Sequence, residues 1–473
     1  MREIISINEN WIYSGEGISR KVSLPHIPGE TGVFTYSRDL EPVAEGEVML
    51  EISGADSLCN VYIDGAPVFA HKGGAGAFRY DITNYIRSGC TLTLFADNTG
   101  YEDIYPVAAG LKPPGGVAGA KLIVTGLTRF SCTDYSSDGL YLTPFIKEGK
   151  GFLGIKALID CPAKGSEIKY TLLDKQGKTI AEETVPTTQS VTVIDCGKPK
   201  HGKDGKPYLY TLKAEIMLTH GSISDCLSIK TCFDTIEAED NNLTVNGKPF
   251  EIKVYGGEYE PGAEDEFIAS LSGSDANTLL LQNYQLTEKL LDYCDENGIF
   301  VIASIPVIPS LTVKKQKSYK SQFTEMIKQN YNRPCILGWC VGGNIVPDLP
   351  DEEKRNAFVS EINSLIKSID SLRYSRFENS DMPGKLTAAN ESLPETAGRF
   401  INEEDTLGDI VDSADIKELF HSRFGTAFDF IFAAAGPLKR FGIKPVLDTA
   451  KTLGLPEEYL KKAEEYLKSL RKQ

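Results

Sequence analysis

The sequence has no apolar run approaching the roughly 20 residues that a bilayer-spanning helix needs, so a helical membrane protein is not expected. Concentrated positive charge is missing as well. Its 50 basic and 66 acidic side chains leave a formal net charge of -16, which opposes nucleic acid and anionic membrane surfaces as partners. Histidine is scarce: the 5 residues stand apart and form no zinc-like cluster. None of the 10 cysteines has CxxC spacing, and the nearest pairs, Cys226/Cys232 and Cys335/Cys340, lie in strand-like apolar runs that read as buried free thiols.

Cofactor and metal signals are absent too. The glycine-rich stretch Gly73-Gly74-Ala75-Gly76 lacks the following helix that a phosphate loop requires, and no cofactor is expected. The acids around the joint, Asp234, Glu237, Glu239 and Asp240, lack the regular spacing of a calcium loop, so no metal site is expected. Met1 to Ser6 carries neither the apolar stretch nor the cleavage site of a secretory signal, which makes the cytoplasm the expected location.

What is present is enough for several cores. A chain of 473 residues with 41% hydrophobic side chains suits two or three domains. From about 20 to 130, short alternating runs are cut by turn residues. Val48–Ile52, Asn60–Ile63 and Thr91–Phe95 read as strands, with a hairpin turn at Asp64-Gly65. Many short strands of this kind favour a sandwich or jelly roll, taken as residues 1–135. The same style over 136–240, with strands at Phe152–Ile159, Ile168–Leu173 and a last one at Tyr208–Ile216, suits an immunoglobulin-like sandwich.

After the polar joint the pattern changes. Strand-like runs at Ile252–Tyr255, Asn277–Leu281, Ile299–Ala303 and Ile336–Trp339 alternate with helices, two of them near Thr287–Asn297 and Tyr319–Asn330. That is the pattern of βα units on a parallel sheet, and residues 241–473 have roughly the size of an eight-fold barrel. Beyond Trp339 the strands are poorly marked, Arg376–Glu378 and Phe428–Ala433 being the best candidates, so a shortened or irregular TIM (β/α) barrel is expected. A tail helix is predicted over Pro456–Leu470.

The order of short phrases carries a resemblance. Ser23-Leu24-Pro25-His26, Asn60-Val61-Tyr62-Ile63-Asp64-Gly65, Phe78-Arg79-Tyr80-Asp81-Ile82-Thr83 and Asp138-Gly139-Leu140-Tyr141 come first. Leu243-Thr244-Val245-Asn246-Gly247-Lys248-Pro249, Asp295-Glu296-Asn297-Gly298 and Asn332-Arg333-Pro334 follow. Together they resemble glycoside hydrolase family 2, the family of β-galactosidases, β-glucuronidases and β-mannosidases. The resemblance implies a β-linked saccharide as partner and, since relatives often self-associate, a homo-oligomer.

It also implies a retaining pair of carboxyl groups. One protonates the departing oxygen while another about 5 Å away attacks the anomeric carbon. An amide or an aliphatic side chain does neither job. The family's acid/base phrase, Trp-Ser-Leu-Gly-Asn-Glu, corresponds here to Trp339-Cys340-Val341-Gly342-Gly343-Asn344-Ile345. Aligned on the tryptophan, Asn344 takes the glutamate's place, and aligned on the asparagine, Ile345 does. Either way the acid is gone. At the family's Arg and His after the second strand stand Leu280 and Asn283, and the phrase Phe420-His421-Ser422-Arg423-Phe424-Gly425 places Arg423 at the candidate nucleophile position.

Two acids follow predicted strands, Glu258 and Glu378. Each is either a sugar-binding or substitute catalytic group or a solvated loop acid. Trp339 is either a stacking floor for a sugar ring or a core aromatic. The expectation is a family 2-like protein with lost or strongly impaired catalysis and a carbohydrate-binding or assembly role. The alternative is an active β-glycosidase using relocated carboxylates, Glu258 and Glu378.

Overall fold

The computed structural model describes residues 1–370, 373 and 387–388, apart from 16, 56, 74–75, 102, 105–115, 204, 240–241, 258–261, 282–285, 306–311 and 342–351. The expected strands at Arg376–Glu378 and Phe428–Ala433 and the tail helix lie outside these residues.

The first unit is two antiparallel sheets packed face to face. Glu3–Ser6, Val117–Thr125, Glu47–Ala55 and Phe78–Asp81 form one; Ile18–Val22, Trp11–Gly15, Val33–Leu40, Cys90–Asp97, Leu58–Ile63 and Ala66–Lys72 form the other, in those spatial orders. Alternation puts Trp11, Phe34, Tyr36, Leu50, Ile52, Val61, Leu92, Leu94 and Leu122 between them. Trp11 satisfies its indole N–H on the Ile7 carbonyl at 2.7 Å, which lets so large a side chain be fully buried. The hairpin at Asp64-Gly65 is as expected, with both residues at positive φ, 50° and 78°.

The second unit repeats the plan. A three-stranded sheet, Leu140–Lys147, Lys150–Ala157 and Val191–Asp195, faces a four-stranded one, Thr179–Pro186, Glu167–Leu173, Tyr210–Met217 and Ile223–Thr231. Tyr210–Met217 is not the last strand: Ile223–Thr231 follows it along the edge. Its run Ile-Ser-Asp-Cys-Leu-Ser-Ile-Lys-Thr reads as polar because Asp225, although fully buried, is an ion-pair partner rather than a solvated acid.

A short hairpin, Ile236–Glu239 with Asn242–Val245, leads into five parallel strands ordered Ile336–Val341, Phe300–Ile305, Thr278–Leu281, Lys253–Gly257 and Thr387–Ala388. The expected barrel is described only as this sheet. Helices Glu264–Ser272, Glu288–Asn297, Val313–Gln329 and Glu352–Ile369 cover one face, where Leu279, Leu281, Val301 and Ile305 meet Leu290, Phe323, Met326 and Ile362. Val254, Leu280, Ile302 and Leu337 line the other face above Leu243 and Ile252.

The Glu288–Asn297 helix starts on Thr287, whose side chain accepts from the Leu290 N–H, and ends at Gly298 with φ 72°. Only glycine fits there twice over, because a Cβ would lie 1.9 Å from the Gly205 carbonyl oxygen of the second unit. The Val313–Gln329 helix begins six positions before the predicted start at Tyr319. Thr312 caps it, and its first turn, Val313-Lys314-Lys315-Gln316, has no apolar period to reveal it.

Candidate functional site

The carboxyl ends of four neighbouring strands are brought side by side. Gly257 pairs with Leu281, Leu281 with Ala303, and Ile305 with Val341. In a parallel sheet this edge is where loops gather functional groups. The residues that follow in the chain, 258–261, 282–285, 306–311 and 342–351, lie outside the described residues, and with them Glu258, Asn283 and Asn344. Glu378 and Arg423 lie outside them too.

Trp339 is described, and its position is decided by a bulge. Val301 pairs with Ile336, but Ile302 pairs with Gly338, so Leu337 is an extra residue in its strand. Strict alternation from Ile336 would turn Trp339 to the face of Leu337 and Ile302. The bulge turns it to the helices instead, beside Phe358 and Ile362. It is 5% exposed, and its Nε1 donates to Asp370 Oδ2 at 2.8 Å. Arg373 Nη1 holds the same oxygen at 2.7 Å. Of the two readings of this residue, the geometry matches the packing one.

A cleft of about 880 Å³ where the three units meet is lined by charged side chains. Arg79 donates to Glu51 at 2.7 Å and lies 3.0 Å from Asp138. Arg2 grips Asp225 through two nitrogens, both at 2.9 Å, and reaches Asp138 at 3.3 Å. Lys121 continues the chain of charges to Glu51 at 2.9 Å and to Glu288 of the third unit at 3.4 Å. Asp138 keeps 42% of its side-chain surface and lines the cleft. Burial raises the Asp138 carboxyl, and the Arg79 and Arg2 guanidiniums outweigh it, holding the group below the ordinary aspartate value. For Lys121, burial lowers the ammonium and Glu51 wins, holding it above the ordinary lysine value.

Beside the cleft, the end of the Val313–Gln329 helix and the loop that follows it dock on both sandwiches. Gln329 accepts from the Ala77 N–H at 3.1 Å and donates to the carbonyls of Ala77 and Tyr135, both at 2.8 Å. Asn332 does the same to Leu140 and Leu142. Arg333 pairs with Asp292 and, at 3.1 Å, with Asp295, whose other oxygen accepts the Cys335 N–H at 2.8 Å. Gln329 and Asn332 are matched to the sandwiches across the interface, while Arg333 is matched within its own unit. Their chemistry is assembly, and linear spacing could not reveal it, since Arg2 and Asp225 are 223 positions apart.

Asp97 and Asn98, at the end of the strand Cys90–Asp97, are buried. Asp97 accepts from Thr99 and Tyr101, and Asn98 fastens the backbone of Glu30 and Gly32. Among the described residues no group of three or more metal-ligating side chains converges. No helix among them is long and apolar enough to cross a membrane.

No family model matches the chain. Individual relatives do. A β-glucuronidase of Bacteroides fragilis is 25% identical over 445 residues, covering 83% of this chain and 63% of its own length. A β-galactosidase of Thermoanaerobacter pseudethanolicus is 23% identical over 424 residues, covering 79% of this chain and 55% of its own. The solved FMN-binding β-glucuronidase of Facaelibacterium prausnitzii L2-6 superposes with a TM-score of 0.71 at 27% identity, over 78% of this chain and 62% of that one. The chain thus spans between about half and under two-thirds of the length of these relatives. Sequence and fold agree on kinship: this chain is related to the β-glucuronidases and β-galactosidases of glycoside hydrolase family 2.

Proposed function

We propose that this is a glycoside hydrolase family 2-like protein that binds a β-linked saccharide and has lost, or nearly lost, the power to hydrolyse it. In this reading 1–135 is a jelly roll, 136–240 an immunoglobulin-like sandwich and 241–473 a shortened TIM barrel. The saccharide sits at the carboxyl edge of the parallel sheet, with Asn283, Glu258 and Glu378 supplying polar contacts. The observation that carries the reading is chemical. The fourth strand runs through Trp339 to Val341 at that edge, and the residues next in the chain, Gly342-Gly343-Asn344-Ile345, offer no carboxyl group in either alignment. Without a proton donor for the departing oxygen, the first step of a retaining hydrolysis has no acid.

The cytoplasm remains the proposed location, a reading in keeping with the buried thiols of Cys59, Cys90, Cys132, Cys196, Cys294 and Cys335. The test is calorimetric titration with methyl β-glucuronide, β-galactoside and β-mannoside, run beside a turnover assay on the matching aryl glycosides. Saturable binding without turnover supports the proposal. Absence of binding to all three removes the saccharide-binding role.

A further inference from the structure

A second cavity, of about 730 Å³, lies between the second sandwich and the amino ends of the parallel strands. Phe300 and Ile336, the first residues of two of those strands, line it. The carboxyl edge is a full strand away, roughly 16 Å along Ile336–Val341 at about 3.3 Å per residue. The cavity is therefore separate from the proposed saccharide site.

Two contacts frame it. At one side Gly298 packs so closely on the Gly205 carbonyl that no side chain fits between them. At another, Asn332 is bonded to Leu140 and Leu142. A space framed in this way is preformed, and its volume is that of a small-molecule pocket.

The walls are largely aromatic. Phe145, Phe250, Ile299, Phe300 and Tyr331 line the cavity, and each is only half-buried. Phe250 and Phe300 meet edge to face at 5.2 Å and 80°. Rings left partly uncovered in one concave space suit a flat organic molecule.

The rim is cationic. Residues 198–206 carry four lysines and a single acid, Asp204, in a chain whose net charge is -16. Lys203 and Lys206 line the cavity on a tight turn, each donating its backbone N–H to the other's carbonyl at 3.0 Å. Asp234 accepts from the Gly202 N–H at 3.1 Å and from Asn246 Nδ2 at 2.8 Å, which ties this turn to the one before Lys248.

Three acids of the lining are engaged: Asp370 by Arg373 and Trp339, Asp295 by Arg333, and Asp234 by the bonds just named. Among the described residues the side chains of Lys203 and Lys248 have no hydrogen bond or ion pair, and Lys206 donates to the neutral Asn297 at 3.2 Å. Glu237, exposed, is the one acid of the described lining without a partner. Three ammonium groups thus stand against one free carboxylate beside an aromatic wall.

We propose that this cavity binds an aromatic carboxylate, its ring against Phe250, Phe300 and Tyr331 and its charge met by Lys203, Lys206 and Lys248. The site is independent of sugar at the carboxyl edge.

The test is calorimetric titration of the full chain with cinnamate and with its neutral counterpart cinnamyl alcohol, repeated on a Lys203→Gln/Lys248→Gln variant. Both lysines are exposed, so the variant is expected to fold as the natural chain does. Cinnamate should bind saturably and about tenfold more tightly than the alcohol, and the variant should lose about that factor for cinnamate alone. Equal affinity for the two probes, or no loss in the variant, overturns the anion site. Absence of saturable cinnamate binding overturns the cavity as a site. Its location is read from the indole N–H resonance of Trp339, whose partner Asp370 lines the cavity. That resonance should shift on titration while the Trp11 resonance stays in place. A Trp339 resonance that does not move, or displacement of cinnamate by methyl β-glucuronide, puts the ligand elsewhere and overturns the proposal.

Discussion

Asn332 holds Leu142 as a neighbouring strand would: its Oδ1 accepts the Leu142 N–H at 2.8 Å, and its Nδ2 donates to the Leu140 carbonyl at 2.7 Å. One side chain thereby extends the edge of the second sandwich into the loop that opens the fourth parallel strand. Replacing Asn332 by Ala leaves one donor and one acceptor of that edge without partners. The expected loss is about 1–3 kcal/mol in denaturant unfolding. Asn332→Asp keeps the acceptor, loses the donor and falls in between.

The Arg79 guanidinium is shared by Glu51 and Asp138. Removing it by Arg79→Met leaves two carboxylates facing each other across a narrow cleft. Lys121 still reaches Glu51 and Arg2 still reaches Asp138, so the carboxylates stay partly compensated and the expected loss is about 1–3 kcal/mol, below that of a fully unpaired buried charge. Added salt at moderate concentration recovers little of it, since shielded pairs are weakly screened.

Asp138 gives this network its pH dependence. Its carboxyl is held below the ordinary aspartate value of about 3.9 when folded, by the Arg79 and Arg2 charges that outweigh burial. The unfolded chain therefore binds the proton first. The stabilisation is fully present above about pH 4 and is lost as pH falls toward the folded value. Urea midpoints measured from neutrality down to about pH 3 should fall more steeply for the natural chain than for Asp138→Asn.

Trp339 and Trp11 are the chain's two tryptophans, both buried, in different units. Trp339→Phe removes the N–H that satisfies Asp370 and leaves part of the sheet–helix layer empty, at an expected cost of about 1–3 kcal/mol. Saccharide binding should be unchanged, because the ring faces the helices. The fluorescence that remains then reports unfolding of the first sandwich alone.

Much of the fold was legible because alternation and turn chemistry are local. Asp64-Gly65, Thr287 with its capping side chain and Gly298 each announce a turn or a helix end within a few residues. What was not legible depends on distant partners. The strand Ile223–Thr231 was hidden because Asp225 reads as polar until Arg2 is seen beside it. The face taken by Trp339 follows from a bulge against Val301 and Ile302, which belongs to the pairing of two strands and not to either run. For the candidate site, the sequence revealed only which residue types are missing after Trp339.

The phrases that carry the family resemblance turn out to be assembly residues. Arg79, Asp138 and Asn332 tie one unit to another, while Arg333 and Asp295 pair within the third unit. Such contacts keep a scaffold recognisable independently of its acids, so kinship by itself does not establish chemistry.

The most direct test of the central claim is turnover of 4-nitrophenyl β-glucuronide, β-galactoside and β-mannoside by the purified chain, alongside its Glu258→Gln and Glu378→Gln variants. The account predicts no release above the buffer rate for any of them. Release by the natural chain that either glutamine substitution abolishes would contradict it and establish relocated carboxylates as a working catalytic pair.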